Sequence, residues 1–326
     1  MTDISGDGHE LFAVVDIGSN SVRMNIYDIN TETGAFSVMS SCRAMLKLIS
    51  YVSDGVLSAD GEGKLFALIR EYLAKANSVP CDKFVAFATA SLRGLDNSGD
   101  IVRKIQNRLG VNIDIISGED EANYDYIATT DRFKNSMAQR GVVIDMGGGS
   151  TEIIAFDDGR VRHSFSLPIG SLGLWKRFCG SRKDRPFPTK EEAKRIREYV
   201  SAQIKKAAPL KSFGGTAYLI GGTARAVCRI DAALDGAEEK NEGYVMPDSA
   251  FGRVVSALMN DAENGASLIS RICPDRTMSV IQGAVAYETI IAETGVSRAV
   301  LSQAGVREGY VLEYIRRTYP KATQLF

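Results

Sequence analysis

Two short stretches of this 326-residue chain carry the same arrangement of acid, glycine and hydroxyl residues, and that arrangement suits a phosphate-binding hairpin. The first runs Ala13-Val-Val-Asp16-Ile-Gly18-Ser19-Asn20-Ser21, and the second runs Val142-Val-Ile-Asp145-Met-Gly147-Gly148-Gly149-Ser150-Thr151-Glu152. In each, a β-branched run reads as a buried strand, the glycines as the tight turn that ends it, and the alternation beyond as a second strand. Without Cβ atoms the tip lets backbone N–H groups converge on an anion, and Ser150 and Thr151 can add hydroxyl donors. Asp145, at the strand end, would hold a cation against the phosphate. One such tip reads as well as a tight turn with a structural aspartate. Two copies change the reading: Asp16 aligns with Asp145, Gly18 with Gly147, Ser21 with Ser150 and Asp28 with Asp157, all 129 residues apart. A period that long fits a duplicated lobe, with two tips facing across a cleft and gripping a polyphosphate from both sides.

The rest of the composition narrows the chemistry. His9 and His163 are the only histidines, so a histidine triad or a histidine-rich metal site is nearly excluded and a carboxylate must move the proton. Five widely spaced cysteines without a Cys-x-x-Cys pair read as free thiols in a reducing compartment. A net charge of -1 and a pI near 6.2 argue against a nucleic-acid-coating protein, so a polyanion must be bound locally. The first ten residues have no basic or apolar leader and no stretch approaches membrane-spanning length, which predicts a cytoplasmic protein.

Periodicity supplies the elements that would position these residues. After the first hairpin it predicts a strand over 35–46, a helix over 58–76 capped by Ser58, a strand over 83–88, a helix over 101–109 ended by Gly110, and a strand over 111–116. A helix over 120–133 follows, then strands over 142–145, 151–156 and 160–167. The charged segment 189–207 reads as a helix with a solvated face, its Lys and Arg laced with Glu191, Glu192 and Glu198. A strand over 217–220 leads through Gly221, Gly222 and Thr223 into a helix from Ala224, a second place for phosphate at a helix N-terminus. A helix over 279–294, a strand over 299–302 and a helix over 306–317 complete the pattern, with loops at 182–188 and 235–242.

Six motifs in order, spread over nearly the whole chain, resemble the exopolyphosphatase and guanosine pentaphosphate phosphohydrolase (Ppx/GppA) family of the actin, sugar-kinase and Hsp70 superfold. They are Asp16 to Arg23, Ala88-Thr-Ala-Ser-Leu-Arg93 with Asn97, Ile115-Ile-Ser-Gly-Glu-Asp-Glu121-Ala122, Ile144 to Glu152, Gly221-Gly-Thr223, and Gly305-Val-Arg-Glu-Gly309. The resemblance implies an α/β protein with two ribonuclease-H-like lobes, a duplicated actin-like ATPase fold with an interlobe cleft. Residues 1–130 would form lobe I, with the helix at 305–326 packing back on it, and residues 131–304 lobe II.

It also implies magnesium-dependent release of terminal phosphate from inorganic polyphosphate or guanosine pentaphosphate by an activated water. In that reading Glu121 is the general base, and Asp145 and Glu152 hold Mg2+ or another divalent cation. Gly18, Ser19, Asn20, Ser21, Arg93, Gly147, Gly148, Gly149, Ser150, Gly222 and Thr223 bind phosphate, with Arg23 and Arg307 as weaker versions of Arg93. On the residues alone, Glu119 and Asp120 compete with Glu121, since acids favour any helix N-terminus. Asn123 stands where the family has arginine, and Gly94 where it has an acid. Two other functions fit the same tips: a small-molecule kinase of this superfold, and a non-catalytic sensor of an alarmone or polyphosphate. The expected partners are the substrate and a second copy in a homodimer, with no nucleic acid and no membrane. The chain stops soon after Gly309, without the long C-terminal region of larger members. Together with near-neutral charge, this predicts binding at the cleft only and release of long chains between turnovers.

Overall fold

An unbroken apolar strand needs cover on both faces, and both glycine-tipped strands have it. The structure, a computed structural model, describes residues 8–180, 187–207, 210, 213–237 and 242–322. The chain divides into two compact units, Met1–Ser117 with Arg307–Phe326, and Gly118–Val306. Of the two expected loops, 182–186 and 238–241 lie outside the described residues.

In the first unit the chain runs β1 (His9–Ile17), β2 (Val22–Asn30), β3 (Phe36–Ala44), a small hairpin of β4 (Val52–Ser53) and β5 (Val56–Leu57), α1 (Ala59–Ser78), β6 (Lys83–Ala88), α2 (Ser98–Leu109) and β7 (Ile113–Ile115). Its sheet has the order β3-β2-β1-β6-β7, antiparallel through β1 and parallel from β1 to β7. Side-chain alternation sends Ala13, Val15, Ile17, Met24, Ile26, Ala86 and Ala88 into one core with Leu65 and Ile69 of α1 and Ile101 and Ile105 of α2. Ser58 caps α1 by accepting from the Gly61 N–H at 3.3 Å.

The second unit begins with α3 (Gly118–Arg132), then β8 (Arg140–Met146), β9 (Thr151–Asp157), β10 (Arg160–Leu167), α4 (Ser171–Phe178), α5 (Lys190–Ala207), β11 (Thr216–Ile220), α6 (Gly221–Leu234), β12 (Val245–Pro247), α7 (Ser249–Met259), α8 (Ala262–Ile272), α9 (Val280–Thr294) and β13 (Arg298–Leu301). The sheet order is β10-β9-β8-β11-β13-β12, which repeats the first sheet and adds antiparallel β12 at the edge. Val142, Ile144, Ile153 and Ala155 face a helical layer that includes α5, α6, α7 and α9. Val143, Ile154, Phe156, Tyr218 and Ile220 turn the other way and meet Ala122 of α3.

That last contact moves the expected boundary. The division falls between Ser117 and Gly118 rather than near residue 130, because α3 buries Ala122 on the second sheet. Helix α10 (Val306–Thr318) then leads back into the first unit. There Tyr314 stacks 4.4 Å from Phe12 and Tyr310 lies 5.3 Å from Phe87, covering the face of β1 and β6 away from α1. Glu10 fixes the helix by accepting from the hydroxyls of Tyr314, at 2.8 Å, and Tyr319, at 2.6 Å.

The periodicity omitted α4, α7, α8, β12 and the β4–β5 hairpin. Helix α6 also starts at Gly221, three residues before its expected start, so the Gly-Gly-Thr segment is the first turn of the helix itself. No described helix is long and apolar enough to cross a membrane.

Candidate functional site

In both units the glycine tip closes on the same bond. The Gly18 N–H donates to the Ser21 carbonyl at 3.1 Å, and the Gly147 N–H to the Ser150 carbonyl at 3.0 Å. What differs is the element that pins the tip. In the second unit the N–H groups of Ser171, Leu172 and Gly173, opening α4, donate to the carbonyls of Gly147 and Gly148 at 2.9–3.0 Å. A trans peptide points its N–H opposite to its C=O. Holding those two carbonyls against α4 therefore turns the N–H groups of Gly148 and Gly149 to the other side, where an anion can collect them. In the first unit Lys47 and Ile49 donate to the carbonyls of Asn20 and Ser19 at 2.8 and 3.2 Å, which turns out the N–H groups of Asn20 and Ser21 in the same way.

Gly170 is where α4 meets the tip, and a Cβ there would overlap the backbone of Gly148 and Gly149. Gly170→Ala should therefore push the tip out of shape. The expected result is a loss of about 1–3 kcal/mol in stability, read by thermal unfolding, together with a raised KM for the phosphate substrate.

The acid of the second tip has company. Asp145 on β8 lies directly opposite Glu152 on β9, so the two carboxylates share one face of the sheet, with Cβ atoms about 5 Å apart. Glu152 is buried and accepts from the Ser166 hydroxyl at 2.6 Å. Gly221, at φ +93°, carries the chain from β11 into α6 past Asp145, and a Cβ at Gly221 would stand 2.5 Å from Asp145 Oδ1. Only glycine permits that approach and that backbone. No side chain caps the start of α6 at Ile220, so the positive end of the helix lies beside the carboxylate and suits a phosphate.

Arg276 completes this corner, and the sequence reading did not find it. Its guanidinium packs against Gly222, where a Cβ would overlap it, and donates to the Thr223 hydroxyl at 3.3 Å. Thr223 is buried and also shares a hydrogen bond with Ser171 at 3.3 Å, so its hydroxyl ties α6 to α4. Arg276 sits in a short turn after α8, 53 residues from Thr223 in sequence, and no local pattern announces it.

Helix α3 separates the three competing acids. Glu119 and Asp120 are exposed on its first turn, whereas Glu121 is 6 % exposed. The N-terminal end of α3 is placed by Ala122, which clusters with Ile220 at the carboxyl end of β11, next to the strand position of Asp145. Asp125, one turn beyond Glu121, is fully buried, with a carboxylate oxygen 3.6 Å from where a Cβ on Gly305 would be. The i, i+4 spacing of Glu121 and Asp125 on a helix was readable in the sequence.

The first unit holds its own charged set. Asp16 accepts from Arg307 at 3.3 Å and lies opposite Arg23 in the β1–β2 register. Burial pushes the Asp16 carboxyl above its usual range, and Arg307 and Arg23 counter this only in part. Burial also works against the charge on Arg307, but Glu308 and Asp16 hold it firmly protonated. Glu308 accepts from the Tyr27 hydroxyl at 2.6 Å, and Asn25 links Tyr27 to Ser41 through bonds of 2.9 Å. Arg93 reaches the Ile116 carbonyl at 3.2 Å from the turn after β6. The departure at Gly94 has a backbone reason: its φ of +80° would strain an acid there. Asn97 brackets Leu57 through both its N–H and its carbonyl, at 3.0 and 2.9 Å, and so serves the fold.

Among the described residues no group of three or more His, Cys, Asp or Glu side chains is placed to hold a metal ion. The opposed pair Asp145 and Glu152 still fits Mg2+, which is commonly held by one or two carboxylates and completes its octahedron with water and substrate phosphate.

Three antiparallel strands continued by two parallel ones, in both sheets, each with a pinned glycine tip, define a duplicated ribonuclease-H-like protein of the actin-like ATPase class. The Ppx/GppA phosphatase family model matches residues 26–318, and the chain belongs to that family. It is accordingly a phosphohydrolase. Exopolyphosphatase 1 of Mycobacterium tuberculosis is 24% identical over 303 residues, covering 92% of this chain and 86% of the relative. An uncharacterized protein of Streptomyces coelicolor is 28% identical over 307 residues, covering 93% and 90%. Among solved structures, the Aquifex aeolicus Ppx/GppA family member superposes with a TM-score of 0.76 at 24% identity, over 95% of this chain and 98% of that one. An exopolyphosphatase from Cytophaga hutchinsonii reaches 0.82 at 16% identity, over 94% and 98%. These two show the shared fold.

Proposed function

We propose that the protein releases terminal orthophosphate from inorganic polyphosphate or guanosine pentaphosphate, with Glu121 activating the water and Mg2+ held by Asp145 and Glu152. The observation that carries this reading is the burial of Glu121 at the head of α3, in the unit that also holds the pinned tip and the opposed carboxylates. The outward N–H groups of Gly148 and Gly149 bind the terminal phosphate, and the start of α6 with Arg276 adds positive charge at the same corner. Glu121 takes the proton of a water lined up on that phosphorus. The metal, when bound, neutralises charge on the phosphate oxygens. The relatives named exopolyphosphatase favour polyphosphate as one substrate, and guanosine pentaphosphate offers the same terminal phosphoanhydride. Phosphate release from tripolyphosphate, long-chain polyphosphate and guanosine pentaphosphate, each with and without magnesium, tests the reading. No release from any of the three would overturn it.

Arg93 is assigned to phosphate binding in the first unit. Arg93→Ala should raise KM about 3- to 10-fold and flatten its dependence on salt, because one screened contact to a polyanion is lost. A salt dependence equal to that of the wild type would make Arg93 a structural residue of the β6 turn.

A further inference from the structure

The facing carboxylates of β8 and β9 have a neighbour on a third strand. β10 sets Ser166 directly opposite Glu152 from one side, as β8 sets Asp145 opposite it from the other. Directly paired residues share a face of the sheet, so Asp145, Glu152 and Ser166 form one row across β8, β9 and β10. It is the face that α3 covers, because Val143 and Ile154, two residues away from Asp145 and Glu152 on their strands, meet Ala122 there. Within the row the Ser166 hydroxyl donates to Glu152 Oε1 at 2.6 Å, and Glu152 is 1 % exposed.

Two observations separate this serine from ordinary strand filling. The register of β10 against β9 shifts between Val161 and His163, with Arg162 as the extra residue. In the register that holds at Val161 and Phe156, Glu152 would face Phe165. The bulge brings Ser166 opposite the acid instead and leaves Phe165 to pack with the apolar core of the unit. The first unit supplies the comparison. Its row, at the same place on three paired strands, is Asp16, Arg23 and Arg43, with Arg23 standing 129 residues before Glu152. The same pairing of strands therefore closes without a hydroxyl at the third place. Ser166 and the second acid occur together, in the unit where two carboxylates face each other.

We infer that Ser166 is a positioning residue for the divalent cation, fixing the Glu152 carboxylate in the orientation that shares the ion with Asp145. The inference rests on reading those two acids as the cation's ligands. A glutamate carboxylate turns easily about its last torsion. Held at one oxygen by a hydroxyl on the next strand, it keeps its second oxygen in one direction. Mg2+ demands near-ideal octahedral geometry, so a ligand that turns binds it poorly. Ser166 itself touches neither the ion nor the substrate.

The test compares the full-length wild type with S166A, which removes the donor, and S166T, which restores it. Two quantities are followed against magnesium: phosphate release from tripolyphosphate, and Tm, whose rise begins near the dissociation constant of the ion. In S166A the magnesium concentration for half-maximal rate, and that at which Tm starts to rise, should both increase about tenfold, with kcat at saturating magnesium within about threefold of the wild type. S166T should return both to within about twofold. A purely structural serine would lower Tm without magnesium and leave both magnesium dependences in place, and that result in S166A would overturn the inference. Equal impairment of S166A and S166T would overturn it too, since the hydroxyl would not be the cause. If wild type hydrolyses nothing but its Tm responds to magnesium, the proposed reaction falls while the shift in S166A still upholds Ser166. If neither the rate nor the Tm of wild type responds to magnesium, the cation pair itself is wrong and the role of Ser166 falls with it.

Discussion

Replacing Glu121 by Gln should lower kcat by about 10²- to 10⁴-fold, the usual worth of a positioned general base, with KM changed by less than about threefold. The amide keeps the size and shape of the carboxylate at a position only 6 % exposed, so the fold and the phosphate contacts survive. What is lost is the ability to take a proton. The neighbouring acids supply the control: Glu119→Gln and Asp120→Asn, on the exposed side of the same turn, should change kcat by less than about threefold. Steady-state phosphate release by the three variants decides the matter. Near-wild-type turnover in Glu121→Gln, or a large loss in either neighbour, would move the base elsewhere on α3.

That control was needed because the sequence could not choose among the three acids. Composition and spacing placed all of them at a helix start, where any acid is stabilised by the dipole. The choice depends on which way the helix is rolled, and Ala122, Val143, Ile154 and Ile220 set the roll by packing. Glu152 joined Asp145 only through the family resemblance, and the hairpin register shows why the two belong together: residues equidistant from the glycine tip face each other. The duplicated tips were legible because the same constraint acts twice on the backbone, at Gly18 and at Gly147. Their pinning was not, since it comes from α4 in one unit and from Lys47 and Ile49 in the other. Helix α4 itself escaped notice because glycines at 170 and 173 interrupt its pattern, although the first of them is there to approach the tip. Helices α7 and α8 could have been found from their starts. Asp248 and Asp261 are acidic N-caps that accept backbone N–H groups, from Ser249 at 2.7 Å and from Glu263 and Asn264 at 3.1 and 3.0 Å. Arg276 had no such signal.

The second large effect is expected at Asp145. Asp145→Asn keeps the side-chain volume beside Gly221 but removes one of the two negative charges that face each other across β8 and β9. Two carboxylates that close repel each other, and a divalent cation relieves that repulsion, so the pair binds the ion more tightly than either acid alone. With one charge gone, the magnesium concentration for half-maximal rate should rise about 10- to 100-fold, and kcat at saturating magnesium should fall about 10²-fold as the ion loses its fixed position. The variant should fold about as well as the wild type, because the amide keeps the size and shape of the side chain beside Gly221. Loss of the magnesium-dependent rise in Tm is the readout independent of activity. Glu152→Gln provides a comparison. Its carboxylate accepts from Ser166 at 2.6 Å, so the amide disturbs a buried hydrogen bond as well as the charge, and its Tm without magnesium should fall below that of Asp145→Asn. If Asp145→Asn showed the wild-type magnesium titration and the wild-type response of Tm to magnesium, the cation would belong to other ligands. Asp145 would then be an acid that only orders the turn into α6.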